Sequence, residues 1–260
     1  MKKQNVLVLL SSGLDSTYCA YKLLSEGVNI TPVYFEIAGC NEQKTFTEKQ
    51  QSLKILNLLK KDFPKMNVPD LINHIVPYES SQRSIRTEGI IHILGRDETG
   101  ITHVALGQNQ SDFDNEDMVS DFQNFKTQLR VRLGKYVVEP IFPVENLNKR
   151  EIYNLLPKKY HKELYCCELP PYIKNEQGKW ETHSCGKCNS CFLQKMIGIY
   201  EPKVYSLPIQ LPDSEAKINN QTCKDYDGYF DYYEGQGGSK SGIMPIHLKK
   251  EKELLISVTR

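Results

Sequence analysis

The chain has 260 residues, and its 33 Lys and Arg residues against 32 Asp and Glu residues give a formal net charge of +1. A balance so close to zero excludes the ordinary polyanion-binding protein, which is strongly basic. No apolar stretch approaches the roughly 20 residues that a membrane span needs, and the N-terminal apolar run ends at Ser11 and Ser12, too soon for a signal peptide. We therefore expect a cytoplasmic protein with no membrane partner.

The first 160 residues alternate short apolar segments with helical patterns. Residues 6–10 are wholly apolar, which is typical of a buried parallel strand. We predict four more strands, at residues 31–37, 71–76, 103–106 and 136–141, and five helices, at residues 17–25, 45–61, 89–94, 114–129 and 149–156. This alternation predicts an α/β fold, a Rossmann-like parallel sheet with right-handed crossovers and helices on both faces.

The pattern changes after about residue 160. Cysteine, proline and glycine dominate the next segment, which we expect to be too irregular to form a sheet layer, and the chain beyond it is rich in Pro, Gly, Asp and Tyr. We therefore predict an α/β domain at residues 1–160, a cysteine-rich segment at 161–205 and a C-terminal extension at 206–260. In the extension we expect a flexible glycine-rich stretch and two apolar segments that could pair as a terminal hairpin.

Small and hydroxyl-bearing residues separate the first strand from the first helix: Ser11, Ser12, Gly13, Leu14, Asp15, Ser16 and Thr17. Small residues let the backbone approach an anion, and the free N–H groups at a helix start point toward it. The four hydroxyl groups can donate further hydrogen bonds to phosphate, while Asp15 is expected to cooperate with Mg²⁺ or to hold the loop shape. A tight turn with a serine N-cap is the structural alternative.

Five of the eight cysteines are crowded together: Cys166, Cys167, Cys185, Cys188 and Cys191. Such clustering favours metal or redox chemistry over a disulfide scaffold. Structural Zn²⁺ takes four tetrahedral ligands, and short Cys-x-x-Cys knuckles supply two or three of them. We therefore predict a zinc site with its fourth ligand from Cys167 or Cys166. A ligand from His183, an iron–sulfur cluster and a redox dithiol are the alternatives.

These two features, in this order, resemble the 7-cyano-7-deazaguanine (preQ0) synthase family of N-type ATP pyrophosphatases. The loop is similar to the family's Ser-Gly-Gly-x-Asp-Ser, with Ser12 in place of the first glycine; a serine fits there if its φ is negative. Cys167 takes the ligand position of the family's Ser-Cys-Tyr/Trp motif and Cys166 the serine position. Residues 185–191 fit Cys-Gly-x-Cys-x-x-Cys.

Three further segments support the resemblance, which covers about residues 5–205. Residues 106–113 look like the family's Gly-x-Asn-x-x-Asp-Tyr stretch, residues 139–152 like its Pro-Leu/Ile…Ser-Lys-x-Glu-Ile segment, and residues 201–205 like its Asp-Pro-Thr-x-Tyr ending. The family's Pro-x-Arg-Asn segment has no clear counterpart, and the insertion between Cys167 and Cys185 is longer than usual.

The resemblance implies a fold of the adenine nucleotide alpha-hydrolase type and an ATP-dependent ligase. Such an enzyme would convert 7-carboxy-7-deazaguanine and ammonia to the nitrile by adenylation, amide formation and dehydration, using ATP, Mg²⁺ and a structural Zn²⁺. It would hold the nucleotide with residues 11–17, with Asp15, Ser16 and Lys149 as catalytic residues and Asn109 and Asp112 at the substrate. The implied metal ligands are Cys167, Cys185, Cys188 and Cys191, and the implied assembly is a homodimer.

Other acceptors and classes are compatible with the same motifs. The enzyme could stop at the amide, or it could join the deazapurine to a protein or another amine. A tRNA-modifying pyrophosphatase is disfavoured because the neutral charge provides little phosphate neutralisation. A non-enzymatic zinc module with a degenerate loop is the fourth hypothesis. For Asn109 and Asp112 the structural alternative is a solvated turn, and for Lys149 and Arg150 it is a helix start in solvent.

Overall fold

The computed structural model describes residues 5–37, 42–76, 82–95, 100–114, 116–133, 138–168 and 170–206. Most of the predicted C-terminal extension, including its hairpin, lies outside the described residues. None of the described helices has the length and apolar character needed to cross a membrane.

Five parallel strands form the central sheet of the described chain, in the order β3-β2-β1-β4-β5. They are β1 (Asn5–Leu9), β2 (Asn29–Ile37), β3 (Ile72–Val76), β4 (His103–Ala105) and β5 (Glu139–Ile141). Val6 pairs with Ile30 on one side and His103 on the other, so β1 lies at the centre. The predicted α/β class is confirmed.

Helices cover both faces of this sheet. The described helices are α1 (Leu14–Ser25), α2 (Glu42–Asp62), α3 (Gln82–Gly95), α4 (Gln110–Phe113), α5 (Glu116–Leu133), α6 (Lys149–Leu155), α7 (Lys158–His161) and α8 (Asn189–Met196). Val6 and Val8 pack with α1, α2 and α6 on one face, whereas Leu7 packs with α3 and α5 on the other. This division follows from the two-residue period of a strand.

The segment after residue 170 forms a three-stranded antiparallel sheet, so the expectation that it is too irregular for a sheet layer is wrong. Its strands are β6 (Tyr172–Lys174), β7 (Trp180–His183) and β8 (Val204–Ser206), in the order β6-β7-β8. In β7, buried Trp180 and Thr182 alternate with partly exposed Glu181 and His183, which is the two-residue period of a half-buried strand. Strands of three or four residues are too short for this period to stand out among prolines and glycines.

The small sheet packs against α2 of the larger layer. Phe46 joins the cluster of Tyr172 and Trp180, and the hydroxyl groups of Thr47 and Thr182 lie 3.5 Å apart in a buried position. The first half of α2 therefore connects the small sheet to the layer that contains the central sheet.

Candidate active site

The strand order reverses beside β1, because β2 and β3 extend the sheet on one side and β4 and β5 on the other. Ligands of open α/β sheets bind at such switch points, beyond the carboxyl ends of the strands. The segments after β1 and β4 meet there. A Cβ atom on Gly107 would lie only 3.0 Å from the carbonyl carbon of Asp15 and from the amide nitrogen of Ser16. A glycine is therefore needed for the close approach of the two segments.

The predicted phosphate loop runs directly into α1. Gly13 is the N-cap residue of this 12-residue helix and has no side chain to cap it. The Ser16 hydroxyl closes the loop, accepting from the Ser11 amide at 3.3 Å and donating to the Gly13 carbonyl at 3.1 Å. The first N–H groups of a helix have no intrahelical acceptor and carry partial positive charge. This end of α1 therefore has the geometry of an anion site.

Ser12 differs from the prediction in two respects. Its φ is +56°, the left-handed region that favours glycine, so the condition stated for a serine at this position, a negative φ, is not met. Its hydroxyl is buried, 2.6 Å from the Ser11 carbonyl and 3.2 Å from the Glu48 carbonyl, so it is engaged within the protein rather than directed at a phosphate. The backbone takes the conformation that the family's glycine permits, at a cost of about 1 kcal/mol for serine. The hydrogen bonds of Ser12 offset part of that cost.

Asp15 and Lys149 meet at the start of α1. The Lys149 Nζ lies 3.4 Å from Asp15 Oδ2, and the charge of Asp15, followed by that of Asp112, raises the pKa of Lys149. Lys149 reaches this place because Asn148 and Glu151 form a capping box that begins α6. The predicted pair of catalytic side chains therefore lies together, whereas Arg150 is exposed.

Buried oxygen atoms near the loop lack hydrogen-bond partners within the described structure. They are Asp15 Oδ1, Thr17 Oγ1 and Gln108 Oε1. A buried oxygen without a partner is costly, and each such atom is therefore a candidate ligand-binding group. The Asp15 oxygen is the type of ligand that Mg²⁺ prefers. Gln108 was not predicted as a site residue, although its position directly after Gly107 at the end of β4 was visible in the sequence.

Asn109 and Asp112 lie at the same edge of the sheet, where they form the capping box of α4. The Asn109 Oδ1 accepts from the Ser111 amide at 3.0 Å, and Asp112 Oδ2 accepts from the Asn109 amide at 2.9 Å. Asn109 is only 1% exposed. Their observed contacts are those of a helix cap, and the buried Asn109 does not fit the structural alternative of a solvated turn. Their substrate role remains a prediction.

Substitution of Asn109 tests its capping role. Asn109→Ala removes the cap oxygen and is expected to lower the free energy of unfolding by about 1 kcal/mol, as at other N-caps. Asn109→Ser keeps a cap oxygen, so its free energy of unfolding should fall by less. Urea denaturation monitored by circular dichroism measures both. Equal stability of the alanine variant and the parent would contradict the capping role.

The four predicted metal ligands form one cluster. The Sγ atoms of Cys167, Cys185, Cys188 and Cys191 all lie within 4.8 Å of one another. Gly186, at φ +71°, makes the turn between the first two cysteines of the knuckle, and Cys188 is the N-cap residue of α8. Backbone amides point at the sulfur atoms, with Cys188 N 3.2 Å from Cys185 Sγ.

The donor set of this cluster fits one zinc ion. Burial and hydrogen bonds within the cluster, that with Cys185 first, raise the pKa of the Cys167 thiol. Four neighbouring thiolates repel one another, and a cation between them offsets that repulsion. Four thiolates are a closed structural site for Zn²⁺. Cys166 and His183 are outside the cluster, and the His183 Nε2 lies 3.8 Å from Glu181 Oε2 instead.

Comparisons with known proteins match both halves of the chain. Residues 1–89 match the family model described as thiamine biosynthesis protein (ThiI). A 7-cyano-7-deazaguanine synthase of Leptospira interrogans is 26% identical over 226 residues, covering 73% of this chain and 84% of that protein. A 7-cyano-7-deazaguanine synthase of Saccharolobus solfataricus is 26% identical over 238 residues, covering 78% of this chain and 48% of that protein.

The predicted resemblance to the 7-cyano-7-deazaguanine synthases is confirmed. The prediction of a ligase-type enzyme is confirmed with it, because these relatives of the chain are synthases.

Two solved structures are also similar to the chain. NMN synthetase from Francisella tularensis is 14% identical with a TM-score of 0.36, over 59% of this chain and 60% of that one. A 4-thiouridine synthetase, solved in complex with RNA and with bound ATP, is 19% identical with a TM-score of 0.41, over 62% of this chain and 40% of that one.

Proposed function

We propose that this protein uses ATP to convert 7-carboxy-7-deazaguanine and ammonia to 7-cyano-7-deazaguanine. The use of ATP is supported by the uncapped start of α1 at the switch point of the sheet. Beside it lies Asp15 Oδ1, which has no hydrogen-bond partner among the described residues. The acceptor is taken from the names of the curated relatives.

The chemistry explains why a nucleotide is needed. A carboxylate is a poor electrophile because the departing oxide is a very basic leaving group. Transfer of AMP to the carboxylate releases pyrophosphate and replaces that oxide with a good leaving group. Ammonia then displaces AMP to give the amide, and a second activation by ATP removes the amide oxygen to give the nitrile.

The protein's part in these steps is to position the reactants and to stabilise charge. The amides of Gly13, Leu14 and Ser16 would bind phosphate oxygens at the start of α1, and Lys149 would neutralise charge on the transferred group. Asp15 would hold Mg²⁺, which supplies positive charge against the departing pyrophosphate. The four cysteines would hold Zn²⁺ in a closed site with no open position for catalysis.

The test supplies purified protein with 7-carboxy-7-deazaguanine, ATP, Mg²⁺ and ammonium, and identifies the products by mass spectrometry. We expect the nitrile, with two AMP and two pyrophosphate formed per nitrile, and no nitrile when ammonium is omitted. AMP formation with an amide as the final product would refute the nitrile-forming reaction and leave the amide-forming alternative. Absence of AMP with every acceptor would refute the ATP chemistry itself.

A further inference from the structure

Ser12 is held in its left-handed conformation by contacts from distant parts of the chain. Its hydroxyl lies 3.2 Å from the carbonyl of Glu48 in α2, and its carbonyl accepts a hydrogen bond from the amide of Tyr165 at 3.0 Å. Serine disfavours this conformation, whereas glycine adopts it freely. The loop of this protein therefore depends on outside restraints that a glycine at position 12 would not need.

Tyr165 is itself fixed by the cysteine cluster and by β8. It is 1% exposed and belongs to the buried cluster of Cys167, Cys188 and Cys191. Its ring packs edge-on against Tyr205, with ring centroids 5.1 Å apart. Cys167 follows two residues later along the chain, so the position of the Tyr165 amide depends on where Cys167 is held.

A second anchor lies on the other side of Tyr165. The carbonyl of Leu164 accepts hydrogen bonds from the Tyr205 hydroxyl at 2.8 Å and from Lys203 Nζ at 3.0 Å. Both donors lie in or next to β8. This strand pairs with β7, which leads into the cysteine knuckle. Residues 164–167 thus form a short bridge from the metal cluster to the phosphate loop.

We propose that Tyr165 is a positioning residue through which metal bound at the four cysteines sets the affinity of the phosphate loop for nucleotide. Metal holds Cys167, Cys167 fixes the Tyr165 amide, and this amide holds Ser12 in the conformation that the loop requires. The inference rests on the proposed function, because it needs a nucleotide at the start of α1. Coupling between two sites is reciprocal, so nucleotide must also tighten the binding of metal.

The experiment measures this reciprocal effect on the folded, metal-loaded protein. Zinc affinity is determined by equilibrium competition with a chelating dye, with and without a nonhydrolysable ATP analogue. We expect the analogue to raise zinc affinity by about fivefold or more in the parent protein. In Ser12→Gly the increase should fall to about twofold or less, because glycine holds the loop conformation without the restraint from Tyr165.

Tyr165→Phe is the matched control. Within the described structure the Tyr165 hydroxyl has no hydrogen-bond partner, so its removal keeps both the ring packing and the amide and should preserve the parent's coupling. Equal coupling in Ser12→Gly and the parent would overturn the proposal, as would no coupling in a parent that binds the analogue in equilibrium dialysis. Failure of the parent to bind the analogue at all would instead overturn the proposed function, and the inference with it.

Discussion

Cys188→Ser is expected to lose both its metal and the stability of the cysteine-rich region. Cys188 is fully buried, and its Sγ belongs to the four-sulfur cluster. A serine hydroxyl does not replace a thiolate ligand, and metal binding supplies much of the folding free energy of small zinc sites, about 10 kcal/mol or more in zinc-finger peptides. Zinc analysis should show the metal content falling from about one ion per chain to a small fraction, and thermal unfolding should begin at a lower temperature.

Cys166→Ser is the matched control for this experiment. Cys166 is a neighbour of the ligand Cys167 but lies outside the cluster, so its serine variant should keep full zinc content. Full metal content in Cys188→Ser would remove Cys188 from the ligand set. Metal loss in Cys166→Ser would show that residues 164–167 bind the metal through Cys166 as well as, or instead of, Cys167.

Asp15→Ala is expected to reduce pyrophosphate release by about a hundredfold or more, the range found when a group that stabilises transition-state charge is removed. The substitution removes the unpartnered buried oxygen and the partner of Lys149. The release of pyrophosphate from ATP in the presence of the acceptor measures the effect, and circular dichroism confirms that the variant is folded.

Asp114→Ala provides the comparison for Asp15→Ala. Asp114 is an exposed carboxylate at the end of α4, on the same side of the sheet but outside the loop. We expect the Asp114→Ala variant to release pyrophosphate at the rate of the parent. Turnover of Asp15→Ala at the parental rate would contradict the assignment of residues 11–17 to the nucleotide.

The parallel sheet was predictable because a buried parallel strand tends to have a continuous run of apolar residues in the sequence, as in β1. The antiparallel sheet was not, because β6, β7 and β8 have three or four residues each. β6 and β7 pair across a short turn, whereas β8 pairs with β7 from a distant part of the sequence. Pairing with Tyr205, rather than any local preference, places Thr182 in the interior. Tertiary contacts decide such short strands.

The candidate site was predictable where its residues are adjacent in the chain, as in the phosphate loop and the cysteine knuckle. The conformation of Ser12 was not, because its restraints come from Glu48 and Tyr165, which the sequence separates from it widely. The capping box of α4 had a local signature, since Asn109 and Asp112 have the spacing of an N-cap residue and its N3 partner. The only sequence signal for Gln108 was its position directly after Gly107.

The first half of α2 has a consequence for how this chain can be divided. Thr47, which meets Thr182 of the small sheet, and Glu48, which contacts the phosphate loop, are consecutive residues, so one helical turn supports both parts. Cutting the chain near residue 160 would leave Thr47, now 2% exposed, facing water together with the apolar surface around Phe46. Neither fragment would retain the surroundings in which its own interior is packed, so the two layers are expected to unfold as a single cooperative unit.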